Sequence, residues 1–420
     1  MNKSAEIPST EPHDATHDQG ISIDWKNVST GDINRLRVAA EQGDADAQLS
    51  LAVCYLNGIA VEENAKEAVR LFRLAAIQGN SIAQFHLGCC YLNGEGFERD
   101  ETEGIVWSRL AAEQGHLEAQ FNIGFCHFNG IGVAKDNKEA AQWFRRAAER
   151  GHVEAQVYLA SCCFAGEGVA IHKTEWFHWS RLAAEQGHVE AQYNLGVAYT
   201  KGEGVPKDYE KAFKWSRRAA EQGYSLAQNS LGDCYRNGIG VPVDLVEAAR
   251  WFQLAAEQGN AIAQNNLGCC HHDGTGVPRN LKESCRWFRL AAKQGHACAQ
   301  NNLGGSYLNG EGVAKNEREA ARLFRLAAEQ QHAAAQFNLG RCYFDGEGVA
   351  RNYREAVRLF HLSANQGHAG GQYFLGICYL HGKGVEKNEK ESARMFHLAC
   401  ENRSAAARCS AKFGWQDETW

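Results

Sequence analysis

The chain has 420 residues, 22% of them charged, and a formal net charge of −6, so no global positive field marks it as a nucleic-acid or anionic-membrane binder. It contains no run of 18 apolar residues, and its first twenty lack the apolar core of a secretory signal. A soluble, cytoplasmic protein with no membrane insertion is expected.

Residues 1–22 are polar, with Pro8, Pro12 and acidic residues at Glu6, Glu11 and Asp14, a composition that buries too little to order itself. Disorder is the expectation there. In 23–43, Ile33, Leu36, Ala39 and Ala40 fall in the frame of a helix that closes at Gly43, which reads as an N-terminal half-repeat capping the first full copy. From 44 to 403 the sequence repeats every 36 residues. The closing glycine stands at Gly43, Gly79, Gly115, Gly151, Gly187, Gly223, Gly259 and Gly295, becomes Gln331, and returns at Gly367. A period of that size, held for ten copies without insertion, marks a repeat array. One continuous solenoid is simpler than the two or three globular domains that the length alone would suggest.

Each copy reads as two helices. In the first, Ala47, Leu51, Cys54 and Tyr55 share one stripe, and Gly58 stops the helix by taking a left-handed conformation. The second starts at a capping residue with an acid three places on, as in Asn64 with Glu67 or Asp136 with Glu139; His172 and Lys211 break that pattern. Its apolar stripe includes Ala68, Leu71, Phe72, Ala75 and Ala76, and Trp107, Trp143, Trp179, Trp215, Trp251 and Trp287 take the large slot as core residues. Arg109 with Glu113, Arg145 with Glu149 and Arg181 with Glu185 have i,i+4 spacing for exposed ion pairs. Residues 404–420 are expected to form a C-terminal capping helix, restarting a first helix over 404–412, and a polar tail. At Gln331 a Cβ in the left-handed joint predicts a softened junction.

Fifteen cysteines invite a disulfide or zinc reading. Eight of them, including Cys54, Cys126, Cys234 and Cys378, share one slot per copy. Stacked helices about 8–10 Å apart hold such residues too far apart to pair. Cysteine here is expected to be a small buried apolar residue. The run Cys269, Cys270, His271, His272, Asp273 offers metal-ligand types, yet neighbours on a helix diverge and no second cluster follows at zinc spacing, so no metal is expected. The recurrent His116, His152, His188, His296, His332 and His368 sit where helices begin and read as caps. The Gly-x-Gly loops join helix to helix and lack a Gly-Lys-Ser/Thr sequence, so they are turns and not phosphate cradles.

The Ala-Gln pairs (Ala119-Gln120, Ala191-Gln192, Ala263-Gln264), the Asn-Leu-Gly triplets (194–196, 302–304), the Gly-x-Gly-Val turns (202–205, 310–313) and the closing Leu-Ala-Ala runs resemble a Sel1-like repeat, a relative of the tetratricopeptide repeat. The likeness implies an all-α, right-handed superhelical α-solenoid of about ten 36-residue helix-turn-helix repeats. Some cysteine-rich relatives bridge one second helix to the next first helix, but those positions here are Ala and Gln, as in Ala112 and Gln120, which favours a reducing compartment.

The family resemblance further implies that first helices line a concave face and that partners dock there. Its residues would be Asn122, Asn194, Asn266, Asn302 and Asn338, with His86, Tyr158 and Phe374 in equivalent slots, and Phe125, Val197, Cys269, Gly305 and Arg341 three places on. Asparagine amides both donate and accept, so a row of them suits the backbone of an extended peptide; alternatively they brace neighbouring helices. The expectation is a monomeric, non-catalytic scaffold or adaptor for a protein or peptide, with no cofactor. Alternatives implied by the family are a β-lactam-binding or hydrolysing enzyme and a host-directed effector of an intracellular bacterium. RNA binding at one base per repeat is disfavoured by the acidic balance.

Overall fold

The structure, a computed structural model, describes residues 28–413, with side chains placed from 28 to 403. The segment 1–22 and the tail beyond residue 413 lie outside the described residues. Among the described residues the chain is all-α, with 21 helices and no strand. It divides into two compact units, one ending at Lys207 and one beginning at Asp208, with the boundary inside a copy of the repeat.

The first unit opens with α1 (Thr30–Glu41), the second helix of the expected half-repeat. First and second helices then alternate: α2 (Ala45–Asn57), α3 (Ala65–Ile77), α4 (Ser81–Asn93), α5 (Glu101–Glu113), α6 (Leu117–Asn129), α7 (Asn137–Glu149), α8 (Val153–Ala165), α9 (Lys173–Glu185) and α10 (Val189–Lys201). The second unit continues with α11 (Tyr209–Glu221), α12 (Ser225–Asn237), α13 (Leu245–Glu257), α14 (Ala261–Asp273), α15 (Leu281–Lys293), α16 (Ala297–Asn309), α17 (Glu317–Glu329), α18 (Ala333–Asp345), α19 (Tyr353–Asn365), α20 (Ala369–His381) and α21 (Glu389–Phe413). Even-numbered helices are first helices of a copy and odd-numbered ones are second helices.

Each first helix ends on a left-handed glycine, such as Gly58 at φ 65° or Gly130 at φ 74°. The second loop glycine has a different task. A Cβ on Gly132 would come within 2.4 Å of the carbonyl oxygen of Glu101, at the start of the second helix one copy earlier. Backbone therefore meets backbone, and only glycine fits. The first loop is the exception: Ala60 sits there at φ 57°.

Hairpins close over a second glycine contact. In the Asn-Leu-Gly triplets, a Cβ on Gly304 would lie 2.7 Å from the ring of Phe324, and one on Gly340 would lie 2.6 Å from Phe360. These fully buried phenylalanines each contribute about 2–3 kcal/mol by leaving water. The phenylalanine slot of α9 holds Ser180, and the facing glycine position is Ala160, whose methyl is buried in part of the space a ring would take.

A buried amide chain ties copy to copy. Gln48 donates through Nε2 to the carbonyl of Ala40 at 3.0 Å and accepts through Oε1 from Gln78 at 2.9 Å. The same pair of bonds recurs at Gln84 with Gln114, Gln156 with Gln186, Gln228 with Gln258, Gln264 with Gln294 and Gln300 with Gln330. Carbonyls that a helix C-terminus would leave open are satisfied by the next first helix.

Several expectations need correction. The second-helix caps form, as Asn64 accepts from the amide of Glu67 at 3.1 Å, but the acid does not complete a reciprocal box. Glu67 instead pairs with Arg70, and Glu139 accepts from the Trp143 indole at 3.0 Å. Of the three i,i+4 pairs only Arg181 with Glu185 forms, at 3.8 Å. Arg109 and Arg145 reach across to Glu139 and Glu175 of the following copy, at 3.6 and 3.1 Å, because those acids lie nearer than the ones a turn ahead. The helix expected to restart at 404 does not: α21 runs unbroken to Phe413. Arg403 occupies the joint position, and there the chain stays helical. Gln331, by contrast, keeps the left-handed turn at φ 64°, because the next copy packs on it.

Candidate functional site

The face expected to bind partners is built from the fifth, sixth, ninth and twelfth residues of each first helix. In the first unit this face is aromatic. Two expected contact residues belong to the interior there. His86 is 6% exposed and stacks on Phe72 at 5.0 Å with rings 9° from parallel, and burial pushes its pKa down to about 4. Asn122 is 2% exposed and donates to the sulfur of Cys89 at 3.8 Å. Neither can meet a surface ligand without rearrangement. Tyr158 is half-buried among Phe121, Phe125, Phe128 and Phe144, with ring centroids 5.2 to 5.9 Å away, and burial raises its phenol pKa. Phe125 forms part of that floor, and Phe164 stands 49% exposed beside Trp176. Asn194 is half-buried.

In the second unit the same face carries amides on α12, α14, α16 and α18, and turns aromatic again at Phe337, Phe344 and Phe374 of α18 and α20. Asn266 donates to Oδ1 of Asn229 at 3.0 Å, Asn302 to Asn265 at 3.2 Å, and Asn338 to Asn301 at 2.9 Å. Asn301 in turn donates to Asn302 at 3.4 Å, so a hydrogen-bonded line passes from α18 through α16 to α14. These donors brace neighbouring first helices. The Oδ1 atoms of Asn266 and Asn338 take no partner among the described residues, so acceptors are what the face offers to a ligand.

The ninth position shapes this amide row. Asp233 is half-buried, and that burial raises its pKa despite the guanidinium of Arg236 at 2.5 Å. Arg341 lies over the ring of Phe374 at 5.7 Å and 3.9 Å from Asp345, with its Nε buried and unbonded. At Gly305, between them, a Cβ would meet nothing within 4 Å. The missing side chain leaves an alcove in the middle of the row.

The tempting ligand cluster dissolves. His272 points away from the thiols and bridges Asp273, at 2.7 Å, and Glu311 of the next copy, at 3.3 Å. Among the described residues no group of three His, Cys, Asp or Glu could hold a metal ion. Burial pushes the thiols of Cys54 and Cys378 up to about 11 and of Cys126 to about 12, so they sit in the core as thiols and not as nucleophiles or ligands.

The recurrent histidines are caps. His116, His152, His188, His296, His332 and His368 each precede a first helix and accept, through Nδ1, the amide three residues on. The glutamine chain went unread in the sequence, and the asparagine braces stood there only as the alternative to peptide binding. Their signal was present: a polar residue recurs inside each apolar stripe, and Asn229, Asn265 and Asn301 stand 37 residues before their partners.

Helix pairs of constant length, stacked through a glycine in nearly every loop, define a helix-pair repeat protein. The Sel1 repeat model matches ten consecutive segments from residue 45 to 404, and the chain belongs to the Sel1 repeat family. Among solved structures it is similar to a protective antigen present in uropathogenic Escherichia coli strains and displaying an SLR fold, with 32% identity, 90% of each chain covered and a TM-score of 0.69. It is also similar to a Sel1 repeat protein from Oxalobacter formigenes, with 31% identity over 74% of this chain and 89% of that one and a TM-score of 0.59. No curated protein matches the chain. No helix among the described residues is long and apolar enough to cross a membrane.

Proposed function

We propose that this chain is a non-catalytic scaffold or adaptor that takes a protein or peptide partner on the exposed part of its first-helix face. One observation carries the reading. The core positions hold the same Ala, Leu and Cys in copy after copy, while the ninth position changes from Phe125 to Val197, Cys269, Gly305 and Arg341. Positions that hold the fold are uniform, and positions that meet solvent beside them differ, as readers of different ligand side chains would. The acceptor atoms of Asn266 and Asn338 suit the amides of an extended segment, and the Gly305 alcove suits one of its side chains. Raised thiol pKa values and the lack of a metal-ligand group among the described residues support a role without chemistry. The free cysteines favour a reducing cytoplasm, where we place the protein as a monomer acting without cofactor or nucleic acid.

The test is to select peptides from a displayed library on the wild-type chain and measure them on Gly305→Leu. That substitution puts a side chain where a Cβ meets nothing within 4 Å, and it replaces glycine inside a helix, so stability should hold or rise by up to about 1 kcal/mol. Binding should weaken about tenfold or more, a loss of roughly 1.4 kcal/mol. Peptides that bind Gly305→Leu and an Asn194→Ala, Asn302→Ala double variant as tightly as wild type would remove this face from consideration.

A further inference from the structure

On the opposite side of the hairpins the second helices carry a different feature. Three of the large-slot tryptophans are covered by an arginine of the chain itself. Arg146 lies 4.3 Å from the ring of Trp143, Arg218 lies 4.6 Å from Trp215, and Arg286 lies 5.4 Å from Trp287. In the first two the arginine stands three residues after the tryptophan, and in the third it stands one before.

At Trp179 both of those places are filled by something else. Leu182 stands three residues on, and His178 one before, edge-on to the indole at 4.9 Å. No lysine or arginine among the described residues lies over Trp179. Beside Trp179, α7, α8 and α9 leave a cleft of about 510 Å³, lined by Trp179, Leu182, Gln156, Glu149 and Glu185. Its two carboxylates are poorly compensated. Glu185 has only the long pair with Arg181 at 3.8 Å. Glu149 makes no ion pair or hydrogen bond among the described residues, because Arg145, a turn before it, has turned to Glu175. Trp251 also lacks a stacked arginine, but the glutamates at the corresponding positions, Glu221 and Glu257, are engaged by Arg217 and Gln253 at 2.7 and 2.9 Å.

We propose that the Trp179 cleft is a docking point for an arginine side chain of a partner protein, which stacks on the indole and pairs with Glu149 and Glu185. The chain covers Trp143 and Trp215 with arginines of its own, and at Trp179, which is 7% exposed, it keeps the indole edge and two carboxylates beside it but places no cation over the ring. Arginine is favoured over lysine because its planar guanidinium stacks and pairs at once. This proposal does not rest on the first-helix face, so either can fail alone.

The experiment uses the full chain and two capped tripeptides, acetyl-Gly-Arg-Gly-amide and its citrulline counterpart, titrated by ligand-observed NMR. The arginine peptide should bind in the millimolar range and the citrulline peptide about fivefold or more weakly, since the neutral urea keeps the shape and loses the charge. Leu182→Arg, which copies the natural Arg146 and Arg218, should retain the fold by circular dichroism and abolish binding. Equal binding of the two peptides, undiminished binding to Leu182→Arg, or no binding of the arginine peptide by wild type at about 10 mM would each overturn the proposal.

Discussion

The side-chain carbonyl of Gln120 is buried without a hydrogen-bond partner, because Arg150 stands where other copies carry the glutamine that would reach it. Arg150 turns its guanidinium to the carbonyl of Gly115 instead. At the matching junction Gln294 does both jobs, donating to Gly259 at 3.0 Å and to Gln264 at 2.9 Å. Arg150→Gln should therefore satisfy Gln120 and keep the Gly115 bond. A gain of about 1 kcal/mol is expected, the lower end of what an unsatisfied buried acceptor costs. Urea unfolding of the two proteins side by side measures it, and a lower midpoint for the variant would show that Arg150 holds more than this junction.

Gln331 is the one joint residue with a side chain in the left-handed region, at φ 64°, while its counterparts are glycines at φ 80° to 98°. Gln331→Gly should stabilise the chain by about 1 kcal/mol. The wild-type junction should also open more readily than its neighbours. Amide exchange at His332 and Ala333 faster than at His296 and Ala297 is the expected pattern, and the substitution should remove the difference.

The loop glycines set up a contrast between two alanines. Gly132→Ala would force a Cβ to 2.4 Å from the Glu101 carbonyl in a backbone already at φ 66°, and should cost upwards of about 2 kcal/mol as neighbouring copies are pushed apart. Ala60→Gly relieves a left-handed alanine and should be neutral to about 1 kcal/mol stabilising. Thermal melts of both variants test the pair, and a mild effect of Gly132→Ala would mean that the copies are not in backbone contact.

Histidine caps make stability depend on acid. Nδ1 can accept an amide proton only while it is unprotonated, and burial lowers the pKa of His152, His296, His332 and His368 below the usual histidine value. His332 further opposes protonation of His368, and His296 that of His332, whereas Glu154 and Glu118 partly favour it at His152. For groups with a lowered folded pKa, the stabilising contribution is complete above the unfolded value of about 6.5 and is lost as pH falls from there through the folded value. The urea midpoint should drop between about pH 7 and 5. Exchanging His332 and His368 for asparagine, which already caps at Asn80 and Asn260, should flatten that drop. His272 runs the other way. Burial opposes its charge, but the bonds to Asp273 and Glu311 outweigh burial and raise its pKa, so its contribution is present below about 6.5 and fades as pH rises through the raised value.

Translation along the chain was legible because it is written in spacing. The 36-residue count, the left-handed glycines at Gly58 and Gly130, the Asn64-type caps and the histidine caps each follow from a local rule, and each stands in the structure. Contacts made across copies were not legible in the same way. Arg145 could meet Glu149 or Glu175, and only the packing of α7 against its neighbours decides for the second. The asparagine face shows the same limit. The sequence placed Asn266, Asn302 and Asn338 in one row, yet whether their donors face a ligand or the preceding helix depends on distances between helices. His86 and Asn122 share that row by position and are lost to it by burial, His86 beneath Phe72 and Phe85 and Asn122 against the thiol of Cys89.

The abutment of Gly132 on Glu101 has a genetic corollary. Since a copy touches the one before it through main-chain atoms, its thickness is independent of which side chains it carries. Unequal crossing-over between two copies would then add or remove whole 36-residue cassettes without spoiling the seam. A lineage carrying such a gene could edit the length and lettering of its first-helix face by recombination alone, with little need for compensating substitutions.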